Sequence, residues 1–145
     1  MQNKVTRSEF HYFKPILTRW IDNDVYGHIN NALYYTYFDT VVNTFLIERG
    51  GLDIANSPVV GFIVSSTCNY HAPLAFPDAI DAGMKINRIG NSSVEYGVAV
   101  FKQGEDTAAA SGTFTHVFVQ RETGQSTSIP TTTREAFEQL SRSDL

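Results

Sequence analysis

Residues 30–51 read NNALYYTYFDTVVNTFLIERGG, and the spacing of their apolar side chains predicts an α-helix over 30–48. Tyr34, Phe38, Val41 and Phe45 recur at three- and four-residue steps, flanked by Leu33, Tyr37 and Val42. Only Thr36, Asp39, Thr40, Asn43 and Thr44 dilute that stripe, so the helix is expected to be largely buried rather than laid on a surface. Arg49, Gly50 and Gly51 supply a basic last turn and a glycine stop.

Upstream of this helix, residues 10–20 read as an extended segment carrying Tyr12, Phe13, Ile16, Leu17 and Trp20. Pro15 interrupts it, which suits an edge strand or a strand start. A polar, turn-prone stretch follows over 22–28. Downstream of Pro58 the chain turns β-rich, with strands expected at 59–71, 80–89, 93–102 and 108–120. In the last of these, Phe114, His116 and Phe118 alternate with Thr113, Thr115, Val117 and Val119. Ala72-Pro73, Pro77-Asp78, Gly90-Asn91, Gly104-Glu105-Asp106 and Thr123-Gly124 carry turn chemistry between the strands. After Pro130 a short helix is expected at about 132–141, with Thr132 and Glu135 spaced as a capping box and Phe137 and Leu140 on its apolar side.

Short connections between consecutive strands imply antiparallel neighbours. One sheet hides so apolar a helix only by curling around it, or with the help of a second subunit. The expected fold is therefore α+β: a curved antiparallel sheet of about five strands wrapped around a long central helix, in one domain spanning residues 1–145.

Composition narrows the function. Hydrophobic residues at 42% and charged residues at 18% describe a globular chain rather than a disordered polyelectrolyte. The formal net charge is -4, and the basic residues are scattered, as at Lys14, Arg19, Lys85, Lys102 and Arg121. A nucleic-acid partner, which calls for a concentrated positive face, is not expected. No membrane association is expected either, because no run approaches the roughly 20 apolar residues of a bilayer crossing. The first residues lack the basic-then-apolar layout of a signal peptide, and the lone Cys68 has no partner for an internal disulfide, which points to the cytoplasm. The four histidines and Cys68 show no metal-ligand spacing, so neither a metal nor another cofactor is expected.

The chemistry-bearing stretch is 20–34, WIDNDVYGHINNALY. Asp22 and Asp24 lie just before the N-terminus of the most apolar helix, where unpaired N–H groups and a partial positive charge are presented. A carbonyl oxygen placed there is polarised, and a nearby carboxylate can attack its carbon or take a proton from an attacking water. The plainer reading is that Asp22, Asp24, Asn30 or Asn31 caps the helix, and for an arbitrary sequence that reading comes first.

The run Asp22-x-Asp24-x-x-Gly27-His28-x-Asn30-Asn31-x-x-Tyr34 closely resembles the active-site signature of the 4-hydroxybenzoyl-CoA thioesterase branch of the hot-dog superfamily. The resemblance continues through Tyr70-His71-Ala72-Pro73-Leu74 and through 108–120 followed by Thr123-Gly124 and Ile129-Pro130. It implies a hot-dog thioesterase hydrolysing an acyl-CoA to free acid and CoA, in a homo-oligomer (a dimer, or a dimer of dimers) whose sites lie between subunits. By the same resemblance Asp24 is the catalytic carboxylate, as nucleophile or general base. The backbone amide of Asn31, ahead of that of Asn30, polarises the thioester carbonyl, while Tyr26, Gly27 and His28 shape the turn. His28 is expected to hold that loop by hydrogen bonding rather than to transfer protons.

The resemblance implies substrate contacts at Tyr26 and, where relatives bring the CoA phosphates to the surface, at Arg88, Asn91 and Ser92. Tyr35 either bounds the acyl pocket or belongs to the core, and Ser65, Ser66 and Thr67 either line the acyl or pantetheine channel or are ordinary polar strand residues. The chain departs from the family at Asn31, where one branch has histidine, and at Thr40-Val41-Val42, where many relatives carry an Ala-Arg run. Two rival readings are a hot-dog dehydratase or hydratase and a non-catalytic binder of acyl thioesters.

Overall fold

The computed structural model describes residues 4–142. Its strands are β1 (Tyr12–Leu17), β2 (Val59–Ser66), β3 (Asn69–Tyr70), β4 (Ala79–Ile89), β5 (Ser93–Lys102) and β6 (Ala110–Gln120), and its helices are α1 (Leu33–Glu48) and α2 (Thr131–Arg142). One antiparallel sheet runs in the order β1-β4-β5-β6-β2, with the two-residue β3 also paired to β6. The sheet curls over α1, which packs against β1, β4 and β5. This is the α+β hot-dog arrangement.

Phe38, Val41, Val42 and Phe45 of α1 are fully buried, which follows from their recurrence on one helical stripe. The opposite face, with Thr36, Asp39 and Thr40, is exposed, so the helix is buried on one side only within the chain. There Thr40 and Thr44 donate their hydroxyls to the carbonyls four residues back, and Asn43 donates to Asp39. Phe137 of α2 stacks on Phe45 of α1 with centroids 6.0 Å apart, while α2 itself packs mainly on β4. The helix α2 begins at Thr131, a residue before the expected capping threonine, and Thr133 instead donates its hydroxyl to the Gly50 carbonyl at 2.7 Å.

The strand β5 is covered on both faces because its side chains alternate between two clusters. Val94, Tyr96, Val98 and Val100 join α1 and α2 in the main core, while Ala99 and Phe101 meet Phe10 and Ala108 on the other side. Arg7 lies over Phe101, 4.9 Å from its centroid, and pairs with Asp81 at 2.9 Å. Pro15 sits in β1, at an edge of the sheet, where its missing N–H leaves no gap in a central ladder.

The single strand expected over 59–71 is broken into β2 and β3. At the break, Thr67 takes the Thr113 N–H on its hydroxyl oxygen at 3.0 Å, in place of a backbone acceptor. Gly112 permits that approach, since a Cβ there would lie 1.9 Å from the Thr67 carbonyl oxygen. Among the described residues no helix is long and apolar enough to cross a membrane.

Candidate active site

After β1 the chain makes a 3-10 turn, Trp20–Asp22, which buries the first of the two acids. Asp22 accepts from the Arg19 backbone N–H at 2.9 Å, from the Arg19 Nε at 3.0 Å and from the Tyr37 hydroxyl at 3.0 Å. Burial by itself raises the Asp22 carboxyl, but the Arg19 amide and guanidinium and the Tyr37 hydroxyl outweigh it and hold the group below its usual range. Asp22 is thus a structural anchor between loop and helix, with both oxygens engaged.

Asp24 opens the following loop and is only half-buried. Its N–H bonds the His28 carbonyl at 2.9 Å, and its own carbonyl accepts from Gly27 at 3.0 Å. Asp24 Oδ1 receives the Tyr26 N–H at 2.9 Å, the short-range bond by which aspartate closes turns. No donor among the described residues meets Oδ2. Gly27, at φ +84°, supplies the left-handed residue on which the loop reverses. His28 bonds the loop through its backbone carbonyl, which accepts the Asp24 N–H, while its imidazole is exposed. The loop borders an open cleft of about 670 Å³ lined by Trp20, Asn23, Asp24, Val25, Tyr26, Gly27 and Asn30.

The two asparagines at the helix entrance have different roles. Asn30 gives its N–H to the Asp22 carbonyl at 2.9 Å, accepts the Ala32 N–H on Oδ1 at 2.9 Å and accepts the Leu33 N–H on its carbonyl at 2.9 Å. Asn30 therefore closes the turn that leads into the helix, which starts at Leu33 rather than at residue 30 and whose N-cap residue, Ala32, makes no side-chain capping bond. The Asn31 N–H has no acceptor among the described residues, and Asn31 is exposed. Of the two amides considered for carbonyl polarisation, only that of Asn31 remains available.

Residues 70–76 brace this loop from the side of the sheet. Tyr70 donates its hydroxyl to the Asn31 carbonyl at 2.8 Å, Ile29 donates to the Leu74 carbonyl at 2.7 Å, and Phe76 donates to the Asn23 side chain at 2.9 Å. The Tyr70 ring packs edge-on to Tyr34, with centroids 5.1 Å apart. Desolvation, and then the Cys68 thiol beside it, push the Tyr70 phenol above its usual range, so it stays a donor. Sequence reasoning marked Tyr70 as part of a strand-ending motif but gave it no role at the site.

The other candidates separate into groups. Tyr35 and Ser66 come together with Thr36, Asp39, Ile63 and Phe114 around a shallow depression of about 340 Å³ on the outer side of α1. Ser65 is exposed beside a bulge in the β2–β6 pairing, and Thr67 stitches the strands through Thr113. Arg88, Asn91 and Ser92 lie at the far end of β4, whose start adjoins the Asp24 side of the sheet. Eleven residues of strand separate the two ends, a span of roughly 30 Å at about 3.3 Å per residue, so the chain does not bring these residues to Asp24. The Asn91 and Ser92 carbonyls instead accept from Ile129 at 3.0 Å and Phe118 at 2.7 Å.

Of the remaining histidines, His71 meets the Ser111 hydroxyl at 2.9 Å, and His116 is buried with Nδ1 3.0 Å from the Tyr96 hydroxyl.

The sequence profile described as "Thioesterase-like superfamily" matches residues 17–137. The crystal structure of the PA5185 protein of Pseudomonas aeruginosa strain PAO1 is 51% identical, with a TM-score of 0.93 over 95% of this chain and 96% of that one. The BH1999 gentisyl-coenzyme A thioesterase is 26% identical, with a TM-score of 0.77 over 86% of this chain and 98% of that one. The 1,4-dihydroxy-2-naphthoyl-CoA thioesterase Slr0204 of Synechocystis shares the fold at 13% identity, with a TM-score of 0.80 over 89% of this chain and 96% of that one. The YsmA protein of Bacillus subtilis (strain 168) is 22% identical over 88 residues, so the match takes in 61% of this chain and only 59% of that relative's length.

Proposed function

This chain belongs to the thioesterase-like superfamily, and from that premise we propose that it is an acyl-CoA thioesterase, with Asp24 driving the attack and the Asn31 amide receiving the oxyanion. The observation that carries the reading is the division between the paired acids. Both Asp22 oxygens are engaged, whereas Asp24 Oδ2, on an open cleft beside the helix entrance, has no partner among the described residues.

The thioester carbonyl approaches the Asn31 N–H, at the positive end of α1. In one form of the reaction Asp24 takes a proton from water as the water oxygen attacks the carbonyl carbon. The negative charge that develops on the carbonyl oxygen is met by the Asn31 N–H, an interaction strongest when the charge is largest. Collapse re-forms the carbonyl, breaks the C–S bond and returns the proton to the departing sulfur, leaving free acid and CoA. In the other form Asp24 Oδ2 itself attacks, expels the CoA thiolate and leaves an acyl anhydride that water hydrolyses.

Tyr35 and Ser66 border the acyl group in this reading, in the depression where they meet. The site is completed by a second copy of the chain, which brings Arg88, Asn91 and Ser92 to the CoA phosphates that their own Asp24 is too distant to serve. The named activity of the gentisyl-coenzyme A thioesterase relative supports CoA as the carrier and an aromatic acyl group as a first probe.

The test is thiol release from a panel of aliphatic and aromatic acyl-CoAs by the wild type and by Asp24→Asn. Loss of turnover by roughly 10²–10⁴-fold in a folded variant is expected. Turnover that survives removes Asp24 from the reaction, and a wild type inert across the panel but binding CoA thioesters marks a non-catalytic binder.

A further inference from the structure

The first turn of α1 is held mostly by its own residues. The Asn30 side chain takes the Ala32 N–H and the Asn30 carbonyl takes the Leu33 N–H, each at 2.9 Å. These bonds shape the turn, yet they do not fix where it sits relative to the sheet. The Asn31 carbonyl is only weakly held from within, because its bond from the Tyr34 N–H is long at 3.4 Å. Tyr70 approaches the same oxygen from β3 at 2.8 Å, from 39 residues away in sequence.

On the hydrolase reading above, we infer that Tyr70 is a positioning residue of the reaction: its hydroxyl, donated to the Asn31 carbonyl, fixes the helix entrance so that the Asn31 N–H meets the oxyanion. The two peptide planes that flank the Asn31 Cα are then both anchored. The plane carrying the N–H is held through the Asn30 carbonyl, and the following plane is held through Tyr70. A donor that must reach an oxyanion tolerates little displacement, since a misplacement of about 1 Å costs on the order of 10²-fold in rate.

A purely structural role is less consistent with the setting. Tyr70 is 46% exposed, so its hydroxyl bond competes with water and contributes little to overall stability. The ring itself is located by β3 pairing opposite Ala110 and by the edge-on contact with Tyr34. Phenylalanine preserves both of those and removes the hydroxyl, and with it the bond to Asn31 and the contact with the Cys68 thiol.

The experiment compares wild type with Tyr70→Phe by steady-state kinetics on the best acyl-CoA, by thermal melting and by 15N–1H spectra of the Asn31 amide. The expected result is a kcat lowered about tenfold with KM within about twofold, because an interaction made mainly in the transition state is weakened. An unchanged melting temperature, a shifted Asn31 resonance and faster exchange of that amide are expected alongside it. A kcat within twofold of wild type overturns the inference, as does an Asn31 amide that does not respond. A wild type that releases no thiol is a failure of the hydrolase reading instead, and the Asn31 amide alone then decides whether Tyr70 positions the turn.

Discussion

The Tyr37 hydroxyl donates to Asp22 Oδ2 at 3.0 Å and thereby ties the second turn of α1 to the 3-10 turn that precedes the Asp24 loop. Together with Arg19, this bond makes the first acid of the pair a part of the frame.

Asp22→Asn is therefore expected to lower stability by about 2 kcal/mol, since it removes a charge that the Arg19 guanidinium and two further donors were arranged to meet. The sign with pH follows from the lowered carboxyl. A group held below its ordinary value of 3.8 stabilises the fold above that value, and the contribution fades as the pH falls through the folded-state value. The gap between wild type and variant in denaturant titrations should be full at pH 6 and should shrink below about pH 4. A gap independent of pH would mean that Asp22 acts by shape alone.

Gly27 turns the loop at φ +84° with open space where a Cβ would stand. Gly27→Ala should therefore cost about 1 kcal/mol from the backbone alone, and Gly27→Asn less, because asparagine tolerates the left-handed region. Thiol release should fall in the same order, since the loop carries Asp24. Equal effects from both variants would show that the loop tolerates a different turn.

Burial lowers the His116 imidazole to about 4 and keeps it neutral beside Tyr96 and between Phe114 and Phe118. The unfolded chain takes up a proton near 6.5 that the folded chain refuses until about 4. Stability attributable to this residue is complete above pH 6.5, declines between 6.5 and 4, and is lost below, by up to roughly 3 kcal/mol. His116→Gln, which keeps a polar partner for Tyr96, should abolish most of the slope between pH 6.5 and 5 in urea melts. A slope that persists assigns it to other groups.

The strand β2 ends the sheet order, and Phe62 and Val64 on it are 62% and 54% exposed. An unpaired edge bearing apolar side chains is the type of surface that a second copy covers. Light scattering should find wild type as a dimer or a larger assembly, and Phe62→Lys with Val64→Lys should shift it toward monomer and depress turnover. A monomeric wild type with full activity would rule out a shared site.

The α1 stripe, the strands after Pro58 and the terminal helix were legible in the sequence because each is a local regularity. Periods of 3.6 and 2 record which side chains face a core, whatever that core turns out to be. The break between β2 and β3 was not legible, because it depends on Thr67 meeting Thr113 and Gly112 across a ladder. The run of 59–71 looks like continuous strand to any purely local reading.

At the site the same boundary appears. Two carboxylates and two asparagines ahead of an apolar helix are read directly from the residue order, and the signature they form resembles that of a thioesterase family. Which acid is frame and which faces the cleft, which asparagine closes the entry turn and which has an N–H with no acceptor among the described residues, and that Tyr70 braces the entrance, all depend on contacts made in three dimensions. Asp22 and Asp24 differ because Tyr37 folds back onto one of them, and Asn31 is held because β3 lies beside it. Those are contacts between residues 15 and 39 positions apart, and no period within a segment encodes them.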